Sequence, residues 1–163
     1  MHSKISLPST VAQISKTWTP KLIAAVNNHH VKVAKISGAF IWHSHPNSDE
    51  LFYVLDGSMK MEIENADTVI LEKGEVFVVP RGVRHKPVSE AGAEILMIEM
   101  EGTVNTGDVE NSELTVVPED ASKSESESDE ICILQLDITG MPRRICDFSK
   151  FLFTIGSRQS SEA

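Results

Sequence analysis

An all-β sandwich or barrel is the fold class that this 163-residue sequence predicts. Three observations carry the prediction. From Lys21 onward, apolar and β-branched residues gather in short runs of about five to eight. Turn-forming residues punctuate those runs every eight to twelve positions or so, the spacing of sandwiches and barrels. No long stretch keeps the 3.6-residue period of an amphipathic helix.

Taken in order, residues 9–18 could make a short helical turn with Ser9 as its N-cap, which Pro20 must end because proline has no amide proton to donate. Leu22–Val26 and Val31–Ile36 flank Asn27-Asn28-His29-His30, which reads as a hairpin turn. Phe40–His45 is a third run. Leu51–Leu55 and Met59–Ile63 flank Asp56-Gly57, a strong short-range hairpin signal. Thr68–Leu71, Glu75–Val79, His85–Val88 and Glu94–Met100 follow, separated by Lys73-Gly74, Pro80-Arg81-Gly82 and Glu90-Ala91-Gly92. Residues 102–113 are polar and loop-like, and Leu114–Val117 could add one more strand. Residues 118–130 contain no apolar residue except one alanine, so they cannot bury enough surface to offset their ordering entropy and are expected to be a disordered acidic Ser/Glu linker. Residues 131–163 turn apolar again in Ile131–Ile138 and Phe148–Ile155, without a convincing period. The expected organisation is an N-terminal arm over 1–20, a barrel over 21–117, the linker over 118–130 and an atypical C-terminal extension over 131–163.

The net charge of −9 is unevenly spread. Residues 1–101 hold 12 acids and 10 bases, whereas 102–130 hold 9 acids and one base, Lys123. The near-neutral stretch 1–101 and the acidic stretch 102–130 speak against nucleic-acid or anionic-membrane partners, which need a basic surface. No apolar run reaches the roughly 18–20 residues that cross a bilayer, and the first residues lack an apolar signal core. The two cysteines, Cys132 and Cys146, match no zinc spacing or disulfide framework. A cytoplasmic protein is expected.

Two clusters carry chemistry. In the first, Gly38-Ala-Phe-Ile-Trp-His43-Ser-His45-Pro-Asn-Ser-Asp-Glu50, the histidines are two apart on an expected strand and so project from one face, with Glu50 opening the next strand beside them. In the second, Gly74-Glu-Val-Phe-Val-Val-Pro80-Arg81-Gly82-Val-Arg-His85, Pro80 and Gly82 shape a turn that can redirect His85 towards the others. Two or three imidazoles plus a carboxylate suit a borderline divalent metal such as Mn, Fe, Co, Ni, Cu or Zn. Ligands on one side of the ion would leave open positions, as catalytic sites do. An isolated His-x-His on a strand is more often a surface or satisfied pair; the correctly spaced Glu and second cluster shift that balance.

These residues resemble the two motifs of the cupin superfamily, G-x5-H-x-H-x3-4-E-x6-G and G-x5-P-x-G-x2-H-x3-N, over Lys21–Glu101. The first motif is one residue short between Gly38 and His43, and the final Asn of the second is Ser89 here. The resemblance implies a small jelly-roll β-barrel with His43, His45, Glu50 and His85 as metal ligands. It also implies a homodimer.

Strand parity suggests what fills the barrel. Ile41 shares the parity of His43 and His45, and Phe52 and Val54 share that of Glu50. Met59, Met61 and Ile63 alternate with charged residues, and Ile95 and Met97 join them as pocket-lining candidates, although most serve equally well as core. A Phe- and Met-lined pocket beside a metal favours a small, largely apolar or aromatic ligand with one chelating oxygen function. Few basic residues fall at inward positions. Arg81, Arg84 and Lys86 form either a solvated loop or an anion-attracting rim. Trp18 needs no functional role, and Trp42, of opposite parity to the histidines, is expected on an outer face or a subunit interface.

The function expected is a metal-dependent enzyme acting on a small carboxylate, enol or phenol-like substrate by Lewis-acid or O2 chemistry. The alternative is a non-catalytic metal- or small-ligand-binding module. A degenerate structural barrel is disfavoured because all four ligand positions are filled. No Ser-His-Asp or Cys-His set supports nucleophilic catalysis, and no separate general base is identifiable, although Glu99 has an inward parity.

Overall fold

The computed structural model describes residues 4–110 and 112–121, together with two short strands at 133–136 and 142–145. The N-terminal helix α1 spans Leu7–Ala12, earlier than the Ser9 start expected. Pro8 lies in its first turn, where a missing amide proton costs nothing, and the Ser6 carbonyl accepts the Thr10 N–H at 3.0 Å.

Strands β1 (Lys21–Val26) and β2 (His29–Ala39) form the expected hairpin around Asn27-Asn28. Asn27 sits at φ 54°, a left-handed conformation that asparagine tolerates. Strand β3 then runs from Glu50 to Ile63 without a break, followed by β4 (Val69–Glu72), β5 (Val76–Val79) and β6 (His85–Met100). The hairpin expected at Asp56-Gly57 is therefore absent, as is the turn at Glu90-Ala91-Gly92. Gly57 pairs with Ala93, and the register between β3 and β6 slips on either side of it. At φ 77° Gly57 occupies a backbone conformation that side chains resist, and a Cβ there would stand 2.5 Å from the Gly92 carbonyl oxygen. The two glycine segments are an irregularity in two long paired strands, which bends them together.

Phe40–His45 is not a strand either. After Ala39 the chain leaves the regular sheet, touching β6 through the Phe40 N–H, which donates to the Pro87 carbonyl at 2.9 Å, and through a bridge between His43 and His85. The strand expected over Leu114–Val117 is displaced to β7 (Glu119–Asp120), which pairs in parallel with β1. The Asn105 side chain holds the intervening backbone instead, donating to the Leu114 carbonyl at 2.7 Å and accepting from the Val116 N–H at 3.0 Å. Sheet pairing thus reaches into residues placed in the linker. The rest of that linker, 122–130, and the apolar run Phe148–Ile155 lie outside the described residues.

The sheet order is β4-β3-β6-β2-β1-β7, with β5 sharing the β3 edge used by β4. Ala34 and Ile36 of β2, Phe52, Val54, Met59 and Met61 of β3, Leu71 of β4, Val79 of β5 and Ala93, Ile95 and Met97 of β6 form one buried cluster. Residues from five strands meet in this way only if the sheet curls around them, as in the small jelly-roll barrel expected. A second cluster, Val11, Ile14, Ile23 and Val33, packs the N-terminal segment onto the opposite face of β1 and β2. Strand β2 is consequently buried on both faces, with Lys32 and Val33 each at most 1% exposed.

Residues Glu125–Ala163 make a separate compact unit, in which β8 (Ile133–Leu136) and β9 (Pro142–Ile145) pair antiparallel. Among the described residues, no helix is long and apolar enough to cross a membrane.

Candidate metal centre

The irregular segment 43–45 is held by backbone hydrogen bonds on both sides. His43 and His85 exchange N–H···O bonds at 3.0 and 2.9 Å, and the Gly82 N–H donates to the His45 carbonyl at 2.9 Å. Between them, the Ser44 N–H donates to Asp108 Oδ1 at 2.7 Å, while the Asp108 N–H returns to the Ser44 carbonyl at 3.0 Å. Gly107 lets this loop approach: a methyl group there would overlap the Ser44 carbonyl oxygen and press on the His45 ring. On the other side, Asp49 Oδ1 accepts the Arg81 N–H at 2.8 Å and fixes the Pro80–Gly82 turn.

These clamps bring His43, His45, Glu50 and His85 together as the sequence led one to expect. All four are buried, and one possible ligand atom from each lies within 4.8 Å of the others. Their placement does not depend on strand parity, since His43 and His45 come from the bridged segment, Glu50 from the first residue of β3 and His85 from the first residue of β6. Nδ1 of His43 lies 3.0 Å from the Ile41 carbonyl and Nδ1 of His85 lies 2.9 Å from that of Val83. A carbonyl only accepts, so these contacts place a proton on Nδ1 of each ring and make Nε2 the atom that each ring offers to the group. Glu50 Oε2 lies 3.1 Å from His45 Nε2 and 3.3 Å from His85 Nε2.

The electrostatics follow from this crowding. Burial, with His85 as a neighbour, lowers His43 to about 4. Burial opposes ionisation of Glu50, but the imidazoles of His45 and His85 against its carboxylate outweigh it and hold the carboxyl well below its usual range. Burial likewise opposes protonation of His45, yet the hydrogen bond and charge of Glu50 raise it above an ordinary histidine. His45 Nε2 is nonetheless buried without a well-oriented hydrogen-bond partner. Three imidazole nitrogens, one of them orphaned, and one carboxylate oxygen make a donor set that fits a divalent cation.

A cavity of about 40 Å³ adjoins His43 and Glu50. Of the expected pocket residues, Phe52, Ile95 and Met97 line it. Val54, Met59 and Met61 are buried in the core and Ile63 packs against it, but none of the four faces the cavity. Ile41 is half-buried and enters through its carbonyl alone. Trp18, Ala34, Ile36 and Phe40 complete the apolar wall. Trp18 therefore has a place at the site that its sequence gave no reason to assign; it sits at φ 58°, its ring N–H donates to the Ser37 carbonyl at 2.9 Å, and its ring packs 4.9 Å from Phe40.

Two charged residues go beyond the expected set. Lys32 is buried and paired with Glu99, Nζ to Oε1 at 2.7 Å, and is one of the few bases at an inward position. Because both faces of β2 are covered, alternation along it could not reveal which side Lys32 takes. Burial and the nearby Glu50 charge push the Glu99 carboxyl up, against the pull of Lys32. The basic residues around His85 form no free rim: Arg81 meets Asp49, Arg84 meets Glu64, and Lys86 meets Glu62 at 2.7 Å. The Lys86 ammonium also lies 5.3 Å from the centre of the half-buried Trp42 ring.

Comparison with known proteins places this geometry among relatives. The family model described as Cupin domain matches residues 29–99. The uncharacterized protein YdbB of Bacillus subtilis (strain 168) is 35% identical over 77 residues, covering 47% of this chain and 68% of that protein. A cupin-2 domain containing protein from Shewanella frigidimarina is similar at 32% identity with a TM-score of 0.58, over 60% of this chain and 94% of that one. Protein NMB1881 from Neisseria meningitidis is similar at 28% identity with a TM-score of 0.57, over 61% of this chain and all of that one (100%).

Proposed function

The chain belongs to the cupin superfamily, and from that premise we propose that His43, His45, Glu50 and His85 hold one divalent metal ion and that the protein is an enzyme acting on a small carboxylate, enol or phenol-like molecule. The observation that carries the proposal is the convergence of four ligand atoms from buried residues within 4.8 Å of one another, one of them a ring nitrogen left without a well-oriented partner. Mn, Fe, Co, Ni, Cu and Zn all suit this donor set. When bound, the ion supplies Lewis-acid polarisation of a substrate oxygen or, if redox-active, a place for O2 chemistry.

The protein's own groups do the rest. Backbone carbonyls of Ile41 and Val83 fix two imidazoles in the ligating tautomer. Glu50 brings the negative charge that offsets a dication. Phe40, Phe52, Ile95 and Met97 exclude water and pack against the substrate's apolar body.

Metal analysis of untagged protein offered Mn, Fe, Ni and Zn tests the site. About one ion per chain is expected in wild type and almost none in His45→Ala and Glu50→Ala; a wild type that stays metal-free overturns the proposal. Turnover of carboxylates or phenols separates enzyme from binder, since ligand-induced stabilisation without turnover identifies a binding module. The proposal extends to a homodimer, supported by the exposed apolar side chains Ile70, Val76 and Val78 and checked by light scattering, and to a cytoplasmic location, checked by cell fractionation.

A further inference from the structure

The cavity beside the candidate centre has two polar poles. One is the histidine–carboxylate group. The other is Glu99, which is 2% exposed, lines the same cavity, and spends only one carboxyl oxygen on Lys32. Its second oxygen, Oε2, is buried with no hydrogen-bond partner. A buried polar atom left unpaired costs stability, so its retention calls for a partner that arrives from outside the protein. Asn105 also lines the cavity, but its side chain is already committed to Leu114 and Val116. Between the two poles the lining is apolar.

We propose that Glu99, held in place by Lys32, is a specificity-determining residue that pairs through Oε2 with a hydroxyl group on the ligand bound at the metal centre. The ligand class is thereby narrowed to small molecules with one oxygen function for the ion, a short apolar body and a separate hydroxyl. A hydroxyl both donates and accepts, so it satisfies Oε2 whether or not the carboxyl carries a proton. The cavity volume corresponds to about three water-sized places, which sets the scale of the body that fits wholly inside. This inference rests on the metal-centre reading, because the first oxygen function needs an ion to bind.

The test uses full-length, Zn-loaded protein, with metal content measured on every sample and binding followed by calorimetry. The probes are propionate against 3-hydroxypropionate, and benzoate against 3-hydroxybenzoate. In wild type the hydroxylated member of at least one pair is expected to bind about tenfold tighter or more, the scale of a hydrogen bond to a carboxyl group. Glu99→Leu alone would strand the Lys32 charge and could unfold the barrel. The double variant Lys32→Met/Glu99→Leu therefore removes the pair together, and apolar replacement of a whole buried pair is commonly tolerated. It should keep its zinc and lose the preference for the hydroxylated probe. Glu99→Gln, which keeps a polar group in place, should retain part of that preference.

Equal binding of both members by wild type, no binding of any probe, or a preference that survives in a zinc-loaded double variant overturns the inference and leaves the metal centre standing. Wild type that fails to load zinc or any other divalent ion overturns both.

Discussion

His43, His45, Glu50 and His85 bring charges and lone pairs together in a space from which water is excluded, and two consequences can be measured on single residues. His43 in the folded, metal-free protein titrates at about 4 against an ordinary 6.5, because burial and then the charge of His85 disfavour its imidazolium. Between those values the unfolded chain binds a proton that the folded chain does not. Stability therefore falls as pH drops from 6.5 towards 4, by up to about 3 kcal/mol from this group. His45, raised by Glu50, acts with the opposite sign: its contribution is present below 6.5 and fades as pH rises through its folded value. Urea unfolding of chelator-treated protein at pH 7 and pH 4.5 should show a larger loss in wild type than in His43→Gln, and equal losses would contradict the assignment. The second consequence concerns Gly107. Gly107→Ala should lower metal affinity about 10–100-fold by pushing the Asp108 loop off Ser44 and His45, the range seen when support of a ligand is lost. Gly102→Ala, at a similarly left-handed glycine with open space around it, should leave affinity unchanged. The four candidate ligands were legible because residue types at fixed spacings encode them. Lys32, Asp108 and Trp18 were not, since a strand buried on both faces, a polar loop and a short irregular arm carry no period that says where a side chain points.

Strands β3 and β6 show how one local signal can serve two elements. Asp56-Gly57 and Glu90-Ala91-Gly92 offer a glycine able to take positive φ, which a hairpin turn needs and a bulge needs equally. Sequence resolves the glycine requirement but not the partner across the sheet, and here each segment faces the other, so both strands continue through. The positions of most strands were legible from their β-branched runs; their continuity was not. Gly57→Ala meets both an unfavourable φ and the Gly92 carbonyl, and should destabilise the barrel by about 2 kcal/mol or more in urea unfolding. A change under about 0.5 kcal/mol, the size of an ordinary surface substitution, would show that the strands can bend without it.

Across the whole molecule, most of the net negative charge lies within the unit that carries the candidate site, since residues 1–124 hold 17 acids and 11 bases. The first compact unit extends to Ser124, and Glu119–Asp120 closes an edge of the sheet against Lys21 and Leu22. The change in composition marked the end of the barrel only to within a few residues, because two acidic residues can pair with a strand edge through their backbone, here with the Glu119 carboxylate 3.6 Å from the Lys21 ammonium. Truncation after Ser124 should leave the unfolding midpoint and metal content unchanged, whereas truncation before Pro118 should lower the midpoint by uncovering the β1 edge. Equal midpoints for the two truncations would remove β7 from the folding unit. The central claim, that four side chains from three separate segments hold one ion, is tested most directly by anomalous diffraction from crystals grown with Mn or Zn. The account predicts one strong peak within about 2.0–2.3 Å of His43, His45, Glu50 and His85, the range for nitrogen and oxygen ligands. A peak elsewhere, or none at full metal saturation, would contradict it.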